Sequence, residues 1–175
     1  IVIGEGGGKS LKADIFLPPV EEKNRPAVLF IHGGGWIEGD RSQLRGYGIL
    51  LARLGFVCMC NSYRLSNESI WPAQIQDVNC AIRYLRANAT DLGLDPDRIG
   101  VSGNSAGGHL SLMAAATNYD QIFEGEGGSN EVSSEIKAVC AIYPPTTIRQ
   151  LEMLNPLENA FLMLMGKEAK KEDYD

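Results

Sequence analysis

A five-residue segment past the middle of the chain restricts the fold more than any other feature of the sequence. Residues 103–107 read Gly-Asn-Ser-Ala-Gly, which fits the pattern G-x-S-x-G. The preceding residues 98–102 are typical of a short strand, and the small and apolar residues 106–116 predict a helix. Where a strand turns sharply into a helix, the two backbones crowd together, so the flanking positions need glycine. The sequence therefore predicts that Ser105 stands on a tight strand-to-helix turn, with its hydroxyl above a sheet.

A run of three glycines lies upstream, directly after a second buried strand. Residues 27–31 are continuously apolar, as in parallel strands covered on both faces, and residues 32–36 read His-Gly-Gly-Gly-Trp. Consecutive glycines let backbone N–H groups approach a carbonyl oxygen, and the helix after Ser105 also aims its first amides at the serine. This pairing predicts acyl transfer, in which a serine attacks a carbonyl group and backbone amides hold the oxyanion.

Strands and helices alternate along the chain, whose 175 residues suit one domain with a single core. The alternation predicts the α/β fold class, with a mostly parallel sheet covered by helices on both faces in three layers. The predicted strands are residues 11–17, 27–31, 56–60, 98–102 and 137–143. The predicted helices are residues 42–54, 72–92, 106–116 and 156–165.

Several local patterns carry further expectations. Ser42 is expected to cap the first helix, and residues 95–97 (Asp-Pro-Asp) to form a turn. Residues 119–134 are rich in Gly, Glu and Ser and predict an exposed, mobile loop. Residues 4–10 end in Gly-Gly-Lys-Ser, but a strand-like pattern follows instead of a helix, so we do not expect a phosphate loop. The predicted apolar face of the first helix consists of Leu44, Tyr47, Leu51 and Leu54.

The two glycine motifs resemble those of α/β-hydrolase esterases and lipases with an HGGG loop, the hormone-sensitive-lipase-like group. Further stretches narrow this resemblance to the carbohydrate-esterase-like branch, which includes acetyl xylan and feruloyl esterases. The similarity extends over about residues 11–143. The stretches are Ser-Tyr-Arg-Leu at 62–65, Pro-Ala-Gln-Ile-Gln-Asp at 72–77, Ala-Ile-Arg-Tyr-Leu at 81–85, Asp-Pro-Asp-Arg-Ile at 95–99 and Ser-Ala-Gly-Gly-His-Leu at 105–110.

The resemblance assigns roles to individual residues of the two motifs. It implies that Ser105 is the nucleophile and that the amides of Gly34, Gly35 and Ala106 form the oxyanion hole, with Gly33 the weaker candidate donor. It implies the α/β-hydrolase fold, and no metal or organic cofactor is required for this chemistry.

The sequence holds two histidines, and neither fits the general base of a serine hydrolase. His32 precedes the glycine run and is expected to brace it by hydrogen bonds. His109 lies one helical turn past Ser105 and is expected to pack beneath the site. In the resembled family the acid and the histidine follow the serine in the chain. We therefore expect both beyond Asp175, and expect residues 1–175 to be the N-terminal portion of a single α/β-hydrolase domain whose later strands are missing.

The function that these features predict is cleavage of small carboxylic esters through an acyl-enzyme, with acetyl or feruloyl esters of carbohydrate as the substrates that the resemblance suggests. Two alternatives share the motifs: an arylformamidase-like amidase, and a non-catalytic binding protein that kept the fold. Trp36 and Trp71 are candidate pocket residues, although both equally fit core positions that anchor loops.

Charge and composition exclude other functional classes. The net charge of −6 gives no basic footprint for nucleic acid, and no apolar run approaches the roughly 18 residues that span a bilayer. The four cysteines lack the spacing of a zinc site. Buried free thiols are expected, while the spacing alone leaves a disulfide between pairs other than Cys58 and Cys60 open. The expected partner is a small-molecule ester, while oligomeric state and compartment stay open.

Overall fold

The computed structural model describes residues 1–20, 22–117, 120–147 and 155–166. Strands and helices alternate through most of this part, as the sequence predicts. The strands are β1 (Val2–Gly6), β2 (Lys9–Phe16), β3 (Arg25–Ile31), β4 (Val57–Asn61), β5 (Leu94–Asn104) and β6 (Ala138–Ile142). The helices are α1 (Arg45–Arg53), α2 (Ala73–Ala87), α3 (Ala89–Leu92), α4 (Ala106–Ala116), α5 (Gln121–Glu124) and α6 (Asn155–Leu164).

The strands of the described residues form one sheet in the order β1-β2-β4-β3-β5-β6. The pairs β1–β2 and β2–β4 are antiparallel, and the three pairs from β4 to β6 are parallel. The predicted α/β class with a mostly parallel sheet is confirmed. Because β3 and β5 run parallel with Ile31 opposite Gly103, the two glycine motifs leave the sheet at the same edge.

Two hydrophobic clusters cover the two faces of the sheet. On β3, Leu29 and Ile31 belong to the larger cluster, while Phe30 between them belongs to the smaller one. The larger cluster includes the predicted apolar face of α2. The smaller cluster includes Leu44, which precedes α1, and Leu51 of α1 packs against it. Helices therefore pack on both faces, which explains why the central strands are apolar throughout. The buried residues of the α2 face are Ile75, Val78, Ile82 and Leu85.

The predicted face of the first helix was partly wrong. Tyr47 is 55% exposed and Leu54 is 67% exposed, whereas α1 buries Gly48 and Ala52. A Cβ atom at Gly48 would lie 2.7 Å from the Phe16 ring, so the helix packs through small residues that let it approach β2 closely. Counting only large apolar residues missed this face.

The predicted cap of the first helix was also wrong. The N-cap residue of α1 is Leu44, and no side chain caps the helix. The Ser42 hydroxyl instead donates to the carboxylate of Asp40, which also accepts the Ser42 amide at 2.7 Å. A local turn around Asp40 therefore competes successfully for the serine that the sequence assigned to the helix.

The predicted turn at residues 95–97 lies within β5. Leu94 pairs with Arg25 and Ile99 with Ala27, so four residues of β5 stand opposite one residue of β3. The Asp97 amide donates to Asp95 Oδ1 at 3.0 Å, as in an aspartate turn. The chain bends here as predicted. However, the bend is a bulge within β5, which begins at Leu94 and thus earlier than predicted.

Residues 120–134 include many exposed positions, as predicted, but they also form the short helix α5 and pack against α2 instead of forming a free loop. The Asn79 side chain donates to the Phe123 carbonyl at 2.8 Å, and Arg83 donates to the carbonyls of Glu124 and Gly128. Arg83 also forms an ion pair with the Glu124 carboxylate at 2.7 Å. Polar side chains of a helix thus satisfy the backbone of a segment with few apolar residues, which the composition of that segment could not reveal.

The N-terminal residues contain a strand that the sequence did not predict. β1 pairs with β2 through a turn at Gly7 and Gly8, both at positive φ. The glycine-rich residues 4–10 therefore belong to a β-hairpin, in agreement with the expectation that they are not a phosphate loop.

All four cysteines have free thiols, as expected, so none of them forms the disulfide that the spacing left open. Cys58, Cys60 and Cys80 are buried, whereas Cys140 is exposed. Burial raises the pKa of the Cys58 and Cys60 thiols to about 12. Both thiols are therefore protonated and unreactive at neutral pH. The charged residues 167–175 lie outside the described residues.

Candidate active site

Ser105 occupies a strained position between β5 and α4. Its backbone has φ +52° and ψ −119°, a conformation that residues with a side chain rarely adopt. The Ser105 amide donates to the Ile142 carbonyl of β6 at 2.9 Å, and the Ser105 carbonyl accepts the His109 amide at 2.9 Å. These two bonds tie the turn to the neighbouring strand and to the following helix, and so hold the strained backbone in place.

The two glycines that flank the serine turn lie where no side chain fits. A Cβ atom at Gly103 would lie 2.6 Å from the Ile31 carbonyl oxygen. A Cβ atom at Gly107 would lie 2.5 Å from the His32 carbonyl oxygen and would also collide with the Ile31 carbonyl. The backbones of β3, β5 and α4 therefore meet at van der Waals distance, which is the crowding that the sequence pattern predicts.

The glycine run after β3 forms a tight turn. Gly34 has φ +114° and Gly35 has φ +58°, and the Gly34 carbonyl accepts the amides of Ile37 and Glu38 at 3.1 Å each. A Cβ atom at Gly34 would collide with the Glu38 carbonyl oxygen. Glycine is therefore required at this point of the loop both by backbone conformation and by space.

The glycine loop lies against the serine turn. A Cβ atom at Gly33 would lie 2.9 Å from the Asn104 carbonyl oxygen, one residue before Ser105. The Gly33 amide is occupied, because it donates to Gln43 Oε1 at 2.8 Å. In the part of the chain that the structure describes, no protein hydrogen bond uses the amides of Gly34, Gly35 or Ala106. These three N–H groups are thus the ones left to bind an external acceptor.

A mostly apolar cavity of about 420 Å³ is lined by residues of the glycine loop and of α4, although Ser105 is not among its lining residues. His109, one helical turn past Ser105, forms part of its wall together with Trp36 of the glycine loop. Trp71 is not among the lining residues and packs behind them, with its ring 5.9 Å from His109 and 5.8 Å from Phe123. The cavity is lined by Trp36, His109, Leu112, Met113, Pro145, Thr146, Thr147 and Phe161.

A larger cavity of about 840 Å³ lies elsewhere and includes neither Ser105 nor the glycine run. The buried ion pair between Arg64 and Asp77, at 2.7 Å, forms part of its wall. Its lining residues are mostly polar and distant in sequence from both motifs, whereas the smaller cavity shares Trp36 with the glycine loop and His109 with the helix that follows Ser105.

His32 braces the glycine loop, as the sequence predicts. Its Nδ1 lies 2.8 Å from the Gly33 carbonyl oxygen, and because a carbonyl only accepts, Nδ1 carries the hydrogen. The imidazole stacks on Tyr63 with ring centres 4.2 Å apart, and the Tyr63 hydroxyl donates to the His32 carbonyl at 3.1 Å. Burial lowers the pKa of His32, which keeps the ring neutral.

Sequence reasoning missed two residues of this support, Tyr63 and Gln43. Tyr63 lies within the Ser-Tyr-Arg-Leu stretch, so the resemblance could have pointed to it. Gln43 carried no signal, because nothing in its local pattern distinguishes it from an ordinary surface glutamine. Both act through contacts between parts of the chain that only the fold brings together.

His109 has an unusual environment for an ionisable side chain. Its ring meets the edge of Trp36 at 5.2 Å, and its Nδ1 is buried without a partner among the described residues. Within the same part of the chain, neither His109 nor His32 makes a hydrogen bond to the Ser105 hydroxyl. Neither residue is therefore placed as a general base for Ser105.

The titration of His109 yields a pH prediction. Burial lowers its pKa from 6.5 to about 4, so the unfolded chain binds more protons than the folded protein between these values. The contribution of neutral His109 to the free energy of unfolding is therefore complete above about pH 6.5 and is lost as the pH falls towards 4. We expect His109→Gln to flatten the fall in the free energy of unfolding over this range, measured by urea denaturation at a series of pH values. A His109 NMR resonance that titrates near pH 6.5 in the folded protein would contradict this account.

The described residues contain no cluster of His, Cys, Asp or Glu side chains that could hold a metal ion. Among the same residues, no helix is both long and apolar enough to cross a membrane.

The sequence of this chain is similar to a known family and to a known esterase. A family model described as BD-FAE matches residues 13–174. Esterase LipC of Mycobacterium tuberculosis is 40% identical over 123 residues, which cover 69% of this chain and 30% of LipC.

Two solved structures share the fold. Thermogutta terrifontis esterase 2 phosphonylated by sarin superposes with a TM-score of 0.81 at 28% identity, covering 96% of this chain and 63% of that chain. A bifunctional GH43-CE protein of Bacteroides eggerthii superposes with a TM-score of 0.80 at 33% identity, covering 89% of this chain and 22% of that chain. The chain thus spans less than a third of the length of LipC and less than two thirds of either solved chain.

Proposed function

Because this chain belongs to the BD-FAE family of α/β-hydrolase esterases, we propose that it carries the nucleophile and the oxyanion hole of a serine carboxylesterase. The observation that carries the proposal is the strained Ser105 turn, which lies against a glycine loop whose amides at Gly34 and Gly35 have no protein acceptor among the described residues. A serine and free amides at one sheet edge fit the requirements of acyl transfer better than those of any other chemistry at this site.

The proposed reaction proceeds through an acyl-enzyme. Ser105 Oγ attacks the ester carbonyl carbon while its proton passes to a general base. The carbonyl oxygen becomes an oxyanion, which accepts hydrogen bonds from the amides of Gly34, Gly35 and Ala106. The intermediate collapses, the C–O bond to the alcohol breaks, and the alcohol leaves with the proton from the base. Water then hydrolyses the acyl-enzyme in the same way, which releases the acid and restores Ser105.

Two features of the chain favour the oxyanion over the neutral carbonyl. Ala106 is the first residue of α4, so its N–H points out of the helix end where the helix dipole stabilises negative charge. The turn closed by the Gly34 carbonyl, which accepts the amides of Ile37 and Glu38, holds the loop amides before the substrate arrives, so little reorganisation is needed in the transition state. Removal of one such donor typically lowers the rate about 10²–10³-fold.

The general base in this proposal is a residue other than His32 and His109. The first is committed to the Gly33 carbonyl, and the second is buried between aromatic rings with a pKa of about 4. A base with so low a pKa would be a weak proton acceptor at neutral pH.

For the substrate, we propose an ester of a small or aromatic acid, including acetyl and feruloyl esters of carbohydrate. The mostly apolar cavity of about 420 Å³ has the character of an acyl pocket, with Trp36, His109 and Phe161 in its wall. A carbohydrate as the alcohol part of the ester is consistent with the similarity to a structure described as a truncated form of carbohydrate esterase from gut microbiota.

Substrate assays on the full-length protein test this proposal. We expect hydrolysis of p-nitrophenyl acetate and release of acetate from acetylated xylan, with little turnover of formyl-kynurenine. Faster turnover of formyl-kynurenine than of the esters would favour the arylformamidase-like alternative. A folded protein that hydrolyses none of these compounds and does not react with a fluorophosphonate probe would contradict the proposed function and favour a binding protein.

A further inference from the structure

Side chains hold both backbone polar groups of Gly33, the first glycine of the run. The Gly33 amide donates to Gln43 Oε1 at 2.8 Å, and the Gly33 carbonyl accepts from His32 Nδ1 at 2.8 Å. The two bonds act on different peptide planes, because the amide belongs to the His32–Gly33 peptide and the carbonyl to the Gly33–Gly34 peptide. Together they determine how these two planes are oriented relative to each other.

This arrangement determines the direction of the Gly34 amide. The Gly33–Gly34 peptide is planar and trans, so the Gly34 N–H points opposite to the Gly33 carbonyl. Because His32 holds that carbonyl, the Gly34 N–H is directed away from His32. Glycine has no side chain to restrict rotation at Gly33, so without the bond to Gln43 the first peptide plane would be free to turn.

The side chain of Gln43 starts from an anchored backbone segment, although the residue itself is exposed. The Gln43 amide donates to the Asp40 carbonyl at 3.2 Å, which closes the turn around Asp40. The Arg41 amide donates to the Ser62 hydroxyl at 3.1 Å, and the Arg41 guanidinium contacts the Asp14 carboxylate at 3.1 Å. The segment that carries Gln43 is thus anchored to β2 and to the end of β4, so the backbone from which the Gln43 side chain reaches Gly33 has a fixed position.

Gln43 also selects which amides remain free. By accepting the Gly33 N–H, it removes this donor from competition for a substrate oxygen and leaves the two following amides. The bond therefore gives a physical reason why Gly33 is the weaker candidate for the oxyanion hole.

We propose that Gln43 is a positioning residue of the oxyanion hole, which acts on the Gly34 amide through Gly33. The inference rests on the proposed esterase function, because an oxyanion hole has a role only in acyl transfer. Gln43 touches neither the nucleophile nor the substrate in this account. Its contribution is realised in the transition state, where the orientation of the amides matters most.

The substitution Gln43→Met in the full-length protein tests the inference, since methionine has a similar shape and lacks the amide oxygen. We expect kcat for p-nitrophenyl acetate to fall about 10- to 100-fold, because small misplacements of donors have effects of this size. KM should change by less than about threefold, because the ground-state carbonyl gains little from the amides. The inhibition constant of a trifluoromethyl ketone, which forms an oxyanion on the serine, should rise by the same factor as kcat falls.

Two further variants separate positioning from a loss of stability. Gln43→Glu keeps the acceptor oxygen, so we expect it to recover most of the lost kcat at high ionic strength, where its added charge is screened. Gln76→Met is the control, because it removes a comparable hydrogen bond from the side-chain amide of Gln76 to the Ile122 carbonyl at 2.9 Å. This variant should leave kcat unchanged.

The results of these assays show separately whether the role of Gln43 is wrong and whether the proposed esterase function is wrong. An active wild type whose kcat is unaffected by Gln43→Met would overturn the role of Gln43 alone. A rise in KM without a fall in kcat would also overturn it, since that result indicates ground-state binding. A wild type that neither hydrolyses esters nor reacts with a fluorophosphonate would overturn the proposed function and the role of Gln43 with it.

Discussion

Replacing Ser105 with alanine should lower kcat/KM for p-nitrophenyl acetate at least about 10³-fold, because in the proposed mechanism the acyl-enzyme forms on the Ser105 hydroxyl. The residual rate would come from the oxyanion amides alone. Stability should change little, since alanine bears the same backbone strain at φ +52° as serine does. The measurement is steady-state hydrolysis by the full-length protein, with thermal unfolding recorded in parallel.

A matched control for this prediction is Ser10→Ala. Ser10 is an exposed residue of β2, and its replacement should leave both activity and stability unchanged. Ser105→Gly offers a second comparison, because glycine relieves the positive φ. We expect this variant to be as inactive as Ser105→Ala and slightly more stable. Retention of more than about a tenth of wild-type activity in either variant would remove Ser105 from the mechanism.

The second large effect is expected for Gly107→Ala. The added Cβ atom would lie 2.5 Å from the His32 carbonyl oxygen and would collide with the Ile31 carbonyl, both of which are backbone atoms that cannot rotate away. Either α4 or the end of β3 must move. We expect a loss of about 3 kcal/mol of stability, at the upper end of overpacking effects. Activity should fall at least about 10²-fold, because the Ala106 amide and the glycine loop shift together.

The matched control for Gly107→Ala is Gly46→Ala. A Cβ atom at Gly46 meets no atom within 4 Å, and the residue lies within α1. Alanine should therefore stabilise the protein by about 0.5–1 kcal/mol and leave activity unchanged. Urea denaturation of both variants tests the pair. Wild-type stability and activity in Gly107→Ala would show that β3 and α4 do not pack as closely as the structure has them.

The serine turn was predictable from sequence because its requirements are local. Gly103, Ser105 and Gly107 lie within five residues, and the crowding that requires the glycines follows from any strand that turns sharply into a helix. The same holds for the parallel strands around it, whose continuous apolar character reflects burial on both faces. These features specify the sheet edge at which the two motifs meet.

The features that were missed depend on contacts between distant parts of the chain. Gly48 gives α1 its packing face because Phe16 of β2 lies above it. Asn79 and Arg83 of α2 hold the segment that follows α4, more than 40 residues later in sequence. Gln43 reaches back across the turn at Asp40 to Gly33. In each case a polar or small residue is specified by its partner, and periodicity carries no signal of that partner.

The serine turn and the glycine loop are each held by hydrogen bonds from other parts of the chain. Bonds from β6 and α4 hold Ser105 in its strained conformation, and His32 and Gln43 hold the glycine loop. A strained backbone persists only where the surrounding structure fixes it, and an oxyanion hole that is already fixed needs no reorganisation during the reaction. The proposed roles of Ser105 and of the loop amides both require such rigidity. The fold thus supplies rigidity on both sides of the space where a carbonyl would react.

Structure determination of the full-length protein after reaction with a fluorophosphonate tests this account most directly, because the adduct places a phosphorus–oxygen bond where the oxyanion would lie. The account predicts phosphorus bonded to Ser105 Oγ and its free oxygen about 2.7–3.1 Å from the backbone nitrogens of at least two of Gly34, Gly35 and Ala106. Attachment to another residue, or an oxygen that points to solvent away from these nitrogens, would contradict it.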